Sequence, residues 1–364
     1  MEAVVFDGSH VRVTTVDLAP PGPGEVRVRV VAAGVCHSDL HVVRGEWSVP
    51  LPLVMGHEGS GVVDQVGEGV TSLSVGDHVV LSWVPGCGTC RYCLLGRPAQ
   101  CEMVANVVAP RGVLYDGTSR LSKDGKVLHH YLGVSSFAEM VVVPQSGAIK
   151  VRSDAPLDVI ALIGCAVATG VGAVRNTANF VAGSTAAVIG CGGVGLSVIQ
   201  GARLEKASVI LAVDISQEKL DIATKLGATH TLLVMPGMNV PEAMKGLVPD
   251  GLDYVFDAIG KIVTTEQSIA ALGLGGSAVV VGLPPTGQTA RFDPLALAEA
   301  DQRILGCNYG STVPERDIPR LVDELMSGEL DLESMISARR PLGEVESALA
   351  DLDAGGALRQ LLLP

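Results

Sequence analysis

The sequence predicts an α/β fold in two domains, a doubly wound parallel sheet and a mainly antiparallel, partly barrel-like β module. Three observations carry this. The chain has 364 residues, more than one compact core usually holds. Its first part reads as short alternating strands separated by turns. From about Ala166 the rhythm changes to strand, turn, helix.

In the first part, residues 11–16 and 25–30 alternate on either side of the turn Pro20-Pro-Gly-Pro-Gly24. Residues 62–66 and 77–81 continue the β character, punctuated by Gly67, Gly69 and Gly76. The stretch 103–136 carries Asp116-Gly117, Asp124-Gly125 and the pair His129-His130, and reads as a loop-rich excursion with both histidines at the surface. In the second part, apolar strands are expected at 184–190, 208–214, 253–257, 277–282 and 303–306, with a helix at 217–226 stopped by Gly227. Continuous apolar strands alternating with helices imply a parallel sheet covered on both faces. Two amphipathic helices, 317–326 and 343–352, precede a short tail that should pack back on the first module. The expected domains are therefore 1–165 with 298–364, and 166–297.

The formal charge of −13 and the lack of any Lys/Arg run argue against nucleic acid and anionic membrane as partners. The N-terminus has no basic stretch leading into an apolar one, so no signal peptide is expected. The most apolar long window, 181–199, is broken by five glycines and two serines, unlike a membrane helix. A cytoplasmic setting is expected. There, eight cysteines point to metal ligands or free thiols before disulfides.

Gly190-Cys-Gly-Gly-Val-Gly195 fits G-x-G-x-x-G, a weak motif alone because glycine is abundant. Its context strengthens it: an apolar strand precedes it, a helix follows, and Asp214 ends the next strand. Gly190 permits the tight turn, Gly192 lets backbone approach a pyrophosphate, and Gly195 lets helix and strand pack closely. The helix N-terminus favours phosphate. Asp214 can accept both ribose hydroxyls of NAD, whereas a 2′-phosphate would meet like charge, so the pattern predicts a Rossmann domain binding NAD rather than NADP.

Cys87-x2-Cys90-x2-Cys93-x7-Cys101 is the most specific local pattern. Four thiolates this close in sequence can wrap one tetrahedral zinc with no open position, a structural site. Disulfide pairing is the alternative, disfavoured in a reducing compartment. The other candidates are scattered: Cys36 in Gly34-Val-Cys-His-Ser-Asp-Leu-His41, His57 in Gly56-His-Glu-Gly, and Cys165 in Ile163-Gly-Cys. Spacing alone leaves each as readily a buried cysteine or a hydrogen-bonded histidine as a ligand.

These stretches, with Glu315-Arg-Asp-Ile-Pro-Arg-Leu-Val-Asp near the end, resemble the zinc-dependent alcohol dehydrogenases of the medium-chain dehydrogenase/reductase superfamily (class III-like, bacterial type) along nearly the whole chain. The resemblance implies a GroES-like catalytic domain beside the Rossmann domain, and two zinc ions per subunit. Cys36, His57 and Cys165 would hold the catalytic zinc, since two cysteines and one histidine are the known set in alcohol dehydrogenases. Cys87, Cys90, Cys93 and Cys101 would hold the structural one. Glu58 would lie behind the metal, and Asp39 would hold the second ring nitrogen of His57. Ser38 would take the substrate hydroxyl proton and His41 would pass it to solvent. His37 would face the coenzyme phosphates. Thr169 and Val194 would contact the nicotinamide side, completing a coenzyme set of His37, Thr169, Gly190, Gly192, Gly193, Val194, Gly195, Asp214 and Lys219. A divalent cation with an open position acidifies a bound oxygen; for water the fall is from about 16 to about 7.

Trp47 and Trp83, the only tryptophans, fall where the family lines its substrate cleft, which predicts a primary alcohol or aldehyde substrate, aromatic ones included. The bland alternative is two ordinary core aromatics. A thiol-dependent formaldehyde dehydrogenase is the second reading; Trp47 and Ala105 stand approximately where the glutathione-dependent branch has an aspartate and an arginine, against a glutathione adduct. A zinc-stabilised NAD-binding sensor without turnover is the third, and it predicts a broken ligand set, which the sequence does not show. The resemblance implies a homodimer, with a tetramer as the alternative.

Overall fold

The computed structural model describes every residue, Met1–Pro364. The chain forms two compact units, Met1–Cys165 with Val313–Pro364, and Ala166–Thr312. The first break falls at 165/166. The second lies at 312/313 rather than 297/298, because strand Arg303–Gly306 pairs in parallel with Ser277–Val280 and extends that sheet.

The Ala166–Thr312 unit is built on six parallel strands in the spatial order His230–Leu233, Val209–Asp214, Thr185–Ile189, Tyr254–Asp257, Ser277–Val280, Arg303–Gly306. Numbered along the chain this is 3-2-1-4-5-6, the Rossmann order, in which winding reverses beside the first strand and ligands sit at that strand's C-terminal end. Ala187, Ile189, Leu211, Val213, Val255 and Ala278 form one buried cluster, which explains the unbroken apolar runs. Helix Gln217–Leu226 is capped by Ser216, whose Oγ accepts from the Lys219 N–H, and ends at Gly227 with φ +125°.

The other unit holds two sheets. Strand Glu25–Val35 runs antiparallel to Gly59–Val66, to Met140–Pro144 and to Arg359–Leu363, so the chain's tail pairs with the first module. The second sheet runs Val11–Thr15, Glu2–Phe6, Leu53–Val54, Lys126–His130, Leu121–Lys123, Asp17–Leu18. Part of the supposed loop 103–136 is therefore a β-hairpin. Asp124 and Gly125 take φ +50° and +73°, the signature of a two-residue turn that matches strand twist. His130 is not a surface residue: pairing of its strand with Leu53–Val54 leaves it 2% exposed. Its Nε2 accepts the N–H of Arg120 at 3.3 Å, and burial lowers its pKa to about 3, so the ring is neutral.

Candidate active site

Strand Glu25–Val35 delivers Cys36 to the start of helix His37–Val43. His57 and Glu58 lie between Leu53–Val54 and Gly59–Val66, and Cys165 follows the turn Ala161–Gly164. Gly56 aims His57 inward: its φ is +86°, and a Cβ there would lie 2.4 Å from Phe137 Cδ1. Folding brings one ligand atom each from Cys36, His57, Glu58 and Cys165 within 4.8 Å of one another, all four residues buried.

Asp39 ties two of these residues together. Its Oδ2 accepts the Cys36 N–H at 3.0 Å, and its Oδ1 lies 3.4 Å from His57 Nδ1. Burial pushes the Asp39 carboxyl up, yet two N–H groups point at it, which favours the carboxylate. Burial would lower His57; the Asp39 charge and hydrogen bond outweigh it and raise the ring to about 10. Cys165, donating to the Cys36 sulfur, together with the His57 charge, holds the Cys36 thiol well below its ordinary range; that shared proton and burial push Cys165 well above it. The result is a compact set of anionic sulfur and cationic ring, the proton arrangement that a divalent cation displaces when thiolates and a neutral imidazole take it up.

Two atoms test whether the residues fit a metal. With Nδ1 turned to Asp39, His57 Nε2 is buried and has no hydrogen-bond partner. A buried ring nitrogen without a partner costs free energy, and once the ring gives up its proton there a cation can take the lone pair it leaves. Glu58 Oε1 is likewise unpartnered while its Oε2 accepts from Arg359, a buried ion pair. Burial raises Glu58 to about 7 despite the guanidinium. The donor set fits zinc.

A second cluster, Cys87, Cys90, Cys93 and Cys101, also has its sulfurs within 4.8 Å of one another. Cys87 and Cys93 are 4.0 Å apart, as are Cys90 and Cys101. Sulfurs about 2.3 Å from a tetrahedral zinc lie about 3.8 Å from each other, so little movement is needed. Against burial, hydrogen bonds from Thr89 and the Cys90 N–H draw Cys87 down to about 6, towards the thiolate. All eight cysteines are free.

Ser38 Oγ lies 3.8 Å from Cys36 Sγ. His41, three residues on and on the same helix face, makes no direct hydrogen bond to Ser38; its Nδ1 meets Glu46 and its ring stacks on Trp47 at 4.4 Å. Trp83 sets its ring edge-on to His57 at 6.5 Å, so the two tryptophans sit on different histidines. His37, at the first helical position, is exposed.

In the other unit, Gly190 has φ +95°, and a Cβ at Gly195 would lie 1.7 Å from the Gly190 oxygen, so the tight turn and close packing both require glycine. A Cβ at Gly192 would meet nothing within 4 Å, which leaves open space over the N-terminus of helix Gly193–Leu204. Val194 lies in that helix's first turn, and Thr169 in the neighbouring helix Ala166–Gly172. Asp214 ends its strand with Oδ2 accepting from the Cys191 N–H and Oδ1 from the Ser216 N–H.

Three residues escaped the sequence reading. Arg359 reaches Glu58 across 301 positions. Tyr131 stands edge-on to His57 at 5.5 Å and its hydroxyl donates to the Ser38 carbonyl, 93 positions away. Glu46 lies just beyond its helix, outside any periodic signal.

The family model described as alcohol dehydrogenase GroES-like domain matches residues 22–153, and that described as zinc-binding dehydrogenase matches 193–327. Among solved structures, an alcohol dehydrogenase zinc-binding domain protein from Burkholderia ambifaria is 37% identical with a TM-score of 0.95, over 100% of this chain and 98% of that one. Benzyl alcohol dehydrogenase from Acinetobacter calcoaceticus is 34% identical with a TM-score of 0.94, over 100% and 98%. A zinc-binding dehydrogenase from Sinorhizobium meliloti 1021, solved bound to NADP, is 28% identical with a TM-score of 0.83, over 100% and 99%. With GroES-like and Rossmann units, both cysteine clusters and full-length likeness at these identities, the chain belongs to the zinc-dependent alcohol dehydrogenases of the medium-chain dehydrogenase/reductase superfamily.

Proposed function

We propose that this chain binds two zinc ions per subunit and moves a hydride between a primary alcohol or its aldehyde, aromatic ones included, and NAD. The observation that carries the reading is the buried donor set of Cys36, His57 and Cys165, with the Nε2 of His57 unpartnered. Zn²⁺ held there would supply the Lewis acidity that eases loss of the alcohol's hydroxyl proton, and the nicotinamide would supply the hydride acceptor. Ser38 takes that proton at its Oγ, and His41 hands it to solvent. Asp39 fixes the ring of His57, and the partly buried ring of Trp83 beside it offers an apolar face suited to an aromatic substrate. Benzyl alcohol dehydrogenase, 34% identical, supports that substrate class.

NAD is favoured by Asp214. Its two backbone N–H bonds leave lone pairs for ribose hydroxyls, and its charge repels a 2′-phosphate. A homodimer is favoured by the edge strand Arg303–Gly306, unpaired on its outer side and close in sequence to exposed Phe292 and Leu295; a sedimentation mass of twice 37.5 kDa would bear this out, and 37.5 kDa would not. The free state of all cysteines fits the reducing cytoplasm.

A panel of alcohols followed by NADH absorbance tests the reading. We expect benzyl alcohol to be oxidised with a higher kcat/KM than sorbitol, and with NAD rather than NADP. Turnover of formaldehyde only with added thiol, and of no simple alcohol, would overturn it in favour of a thiol-dependent formaldehyde dehydrogenase.

A further inference from the structure

The geometry points to Glu46 as a positioning residue that sets the tautomer of His41 for proton transfer, an inference that rests on the reading of His41 as the relay's outer end. Helix His37–Val43 ends at Arg44, and Gly45 takes φ +68°. That left-handed residue folds the chain back on the helix it has just left. The N–H groups of Glu46 and Trp47 both donate to the His41 carbonyl, at 2.9 and 3.4 Å. The two side chains are thereby laid over the His41 ring. Trp47 stacks on its face, 4.4 Å between centroids and 20° between planes. Glu46 Oε2 meets its edge at Nδ1.

Neutral imidazole carries one N–H, and a carboxylate can only accept. The contact with Glu46 therefore places the proton on Nδ1 and leaves the lone pair on Nε2. Nε2 is then the atom open to a proton passed outward from Ser38 through an intervening hydroxyl or water, and it releases that proton to solvent while the Nδ1–H bond to Glu46 stays intact. Without the carboxylate, the ring is free to hold its proton on either nitrogen. Other charged groups reach Glu46 from a different side. Arg44 Nη1 lies 3.9 Å from Oε1, and the same guanidinium pairs with Asp353 of helix Val345–Asp353. Arg44 thus steadies the oxygen that His41 does not use. At 17% and 28% side-chain exposure, His41 and Glu46 are shielded enough for the bond to hold yet open enough to pass a proton out.

The test uses the zinc-loaded, full-length protein labelled with ¹⁵N-histidine, the His41 signals being those lost in His41→Gln. We expect Nδ1–H in the wild type, a shift towards Nε2–H in Glu46→Ala, and Nδ1–H again in Glu46→Gln, whose amide oxygen can still accept. We expect kcat of Glu46→Ala to fall about tenfold, with both KM values unchanged and most of the loss restored in Glu46→Gln. Unchanged tautomer and unchanged kcat in Glu46→Ala, beside a slow His41→Gln, would overturn the role of Glu46 alone. A His41→Gln protein as fast as wild type would remove the relay itself, and this inference with it.

Discussion

Gly34 has no room for a side chain: a Cβ there would lie 2.7 Å from Glu58 Cδ and 2.9 Å from Arg359 Nη2. The Glu58–Arg359 pair thus packs on bare backbone beside Cys36, His57 and Cys165. Burial pushes Glu58 up to about 7, and the guanidinium is what keeps the carboxylate tolerable in that place. Arg359→Met should therefore destabilise the protein by up to about 3–5 kcal/mol at alkaline pH, where it strands a buried charge, and by less at lower pH, where Glu58 takes a proton. Adding Glu58→Gln should recover most of that loss, and urea midpoints check both; a double variant as unstable as the single one would contradict it. At this scale the sequence is legible where residues are close neighbours. Cys36, Ser38, Asp39 and His41 share one helical turn and its cap, and His57 adjoins Glu58. It is silent about Arg359 and Tyr131, whose contacts exist only after strands far apart in the chain have docked.

The hairpin Leu121–Lys123/Lys126–His130 shows what element-level patterning misses. Its strands are too short for alternation to register, and Asp124-Gly125 reads equally well as a loop signal. Only pairing with Leu53–Val54 buries His130. That burial has a consequence for acid stability. The His130 pKa is about 3 in the folded chain against an ordinary 6.5, so between those pH values the unfolded chain holds the extra proton. The contribution is complete above pH 6.5 and is lost as pH falls towards 3, at up to about 1.4 kcal/mol per pH unit. His130→Gln keeps an acceptor for the Arg120 N–H but does not titrate. Its stability should fall less than the wild type's between pH 6.5 and 4 in denaturant titrations; parallel curves would contradict the assignment. Longer elements needed no such context. Helix Gln217–Leu226 has its cap, period and terminal glycine all in the local sequence, and the Rossmann strands are continuous apolar runs.

At the scale of the molecule, the two-unit division was legible because strand length and periodicity change near Ala166. The return point was not. Strand Arg303–Gly306 is expected in the parallel sheet and joins it, but as a mostly exposed edge strand it gives no local signal for where, beyond it, the chain passes back to the first unit. No single helix is long and apolar enough to cross a membrane. On the proposed reading, alcohol oxidation depends on a zinc held by Cys36, His57 and Cys165, and the cluster of Cys87, Cys90, Cys93 and Cys101 binds a separate one. Zinc content per subunit, measured by elemental analysis on wild type and Cys36→Ser alongside benzyl alcohol oxidation and NADH binding, tests it most directly. We predict two zinc ions in the wild type; in the variant we predict one, with oxidation abolished and NADH binding retained. Oxidation surviving in Cys36→Ser, or a wild type active with the four-cysteine zinc alone, would contradict it.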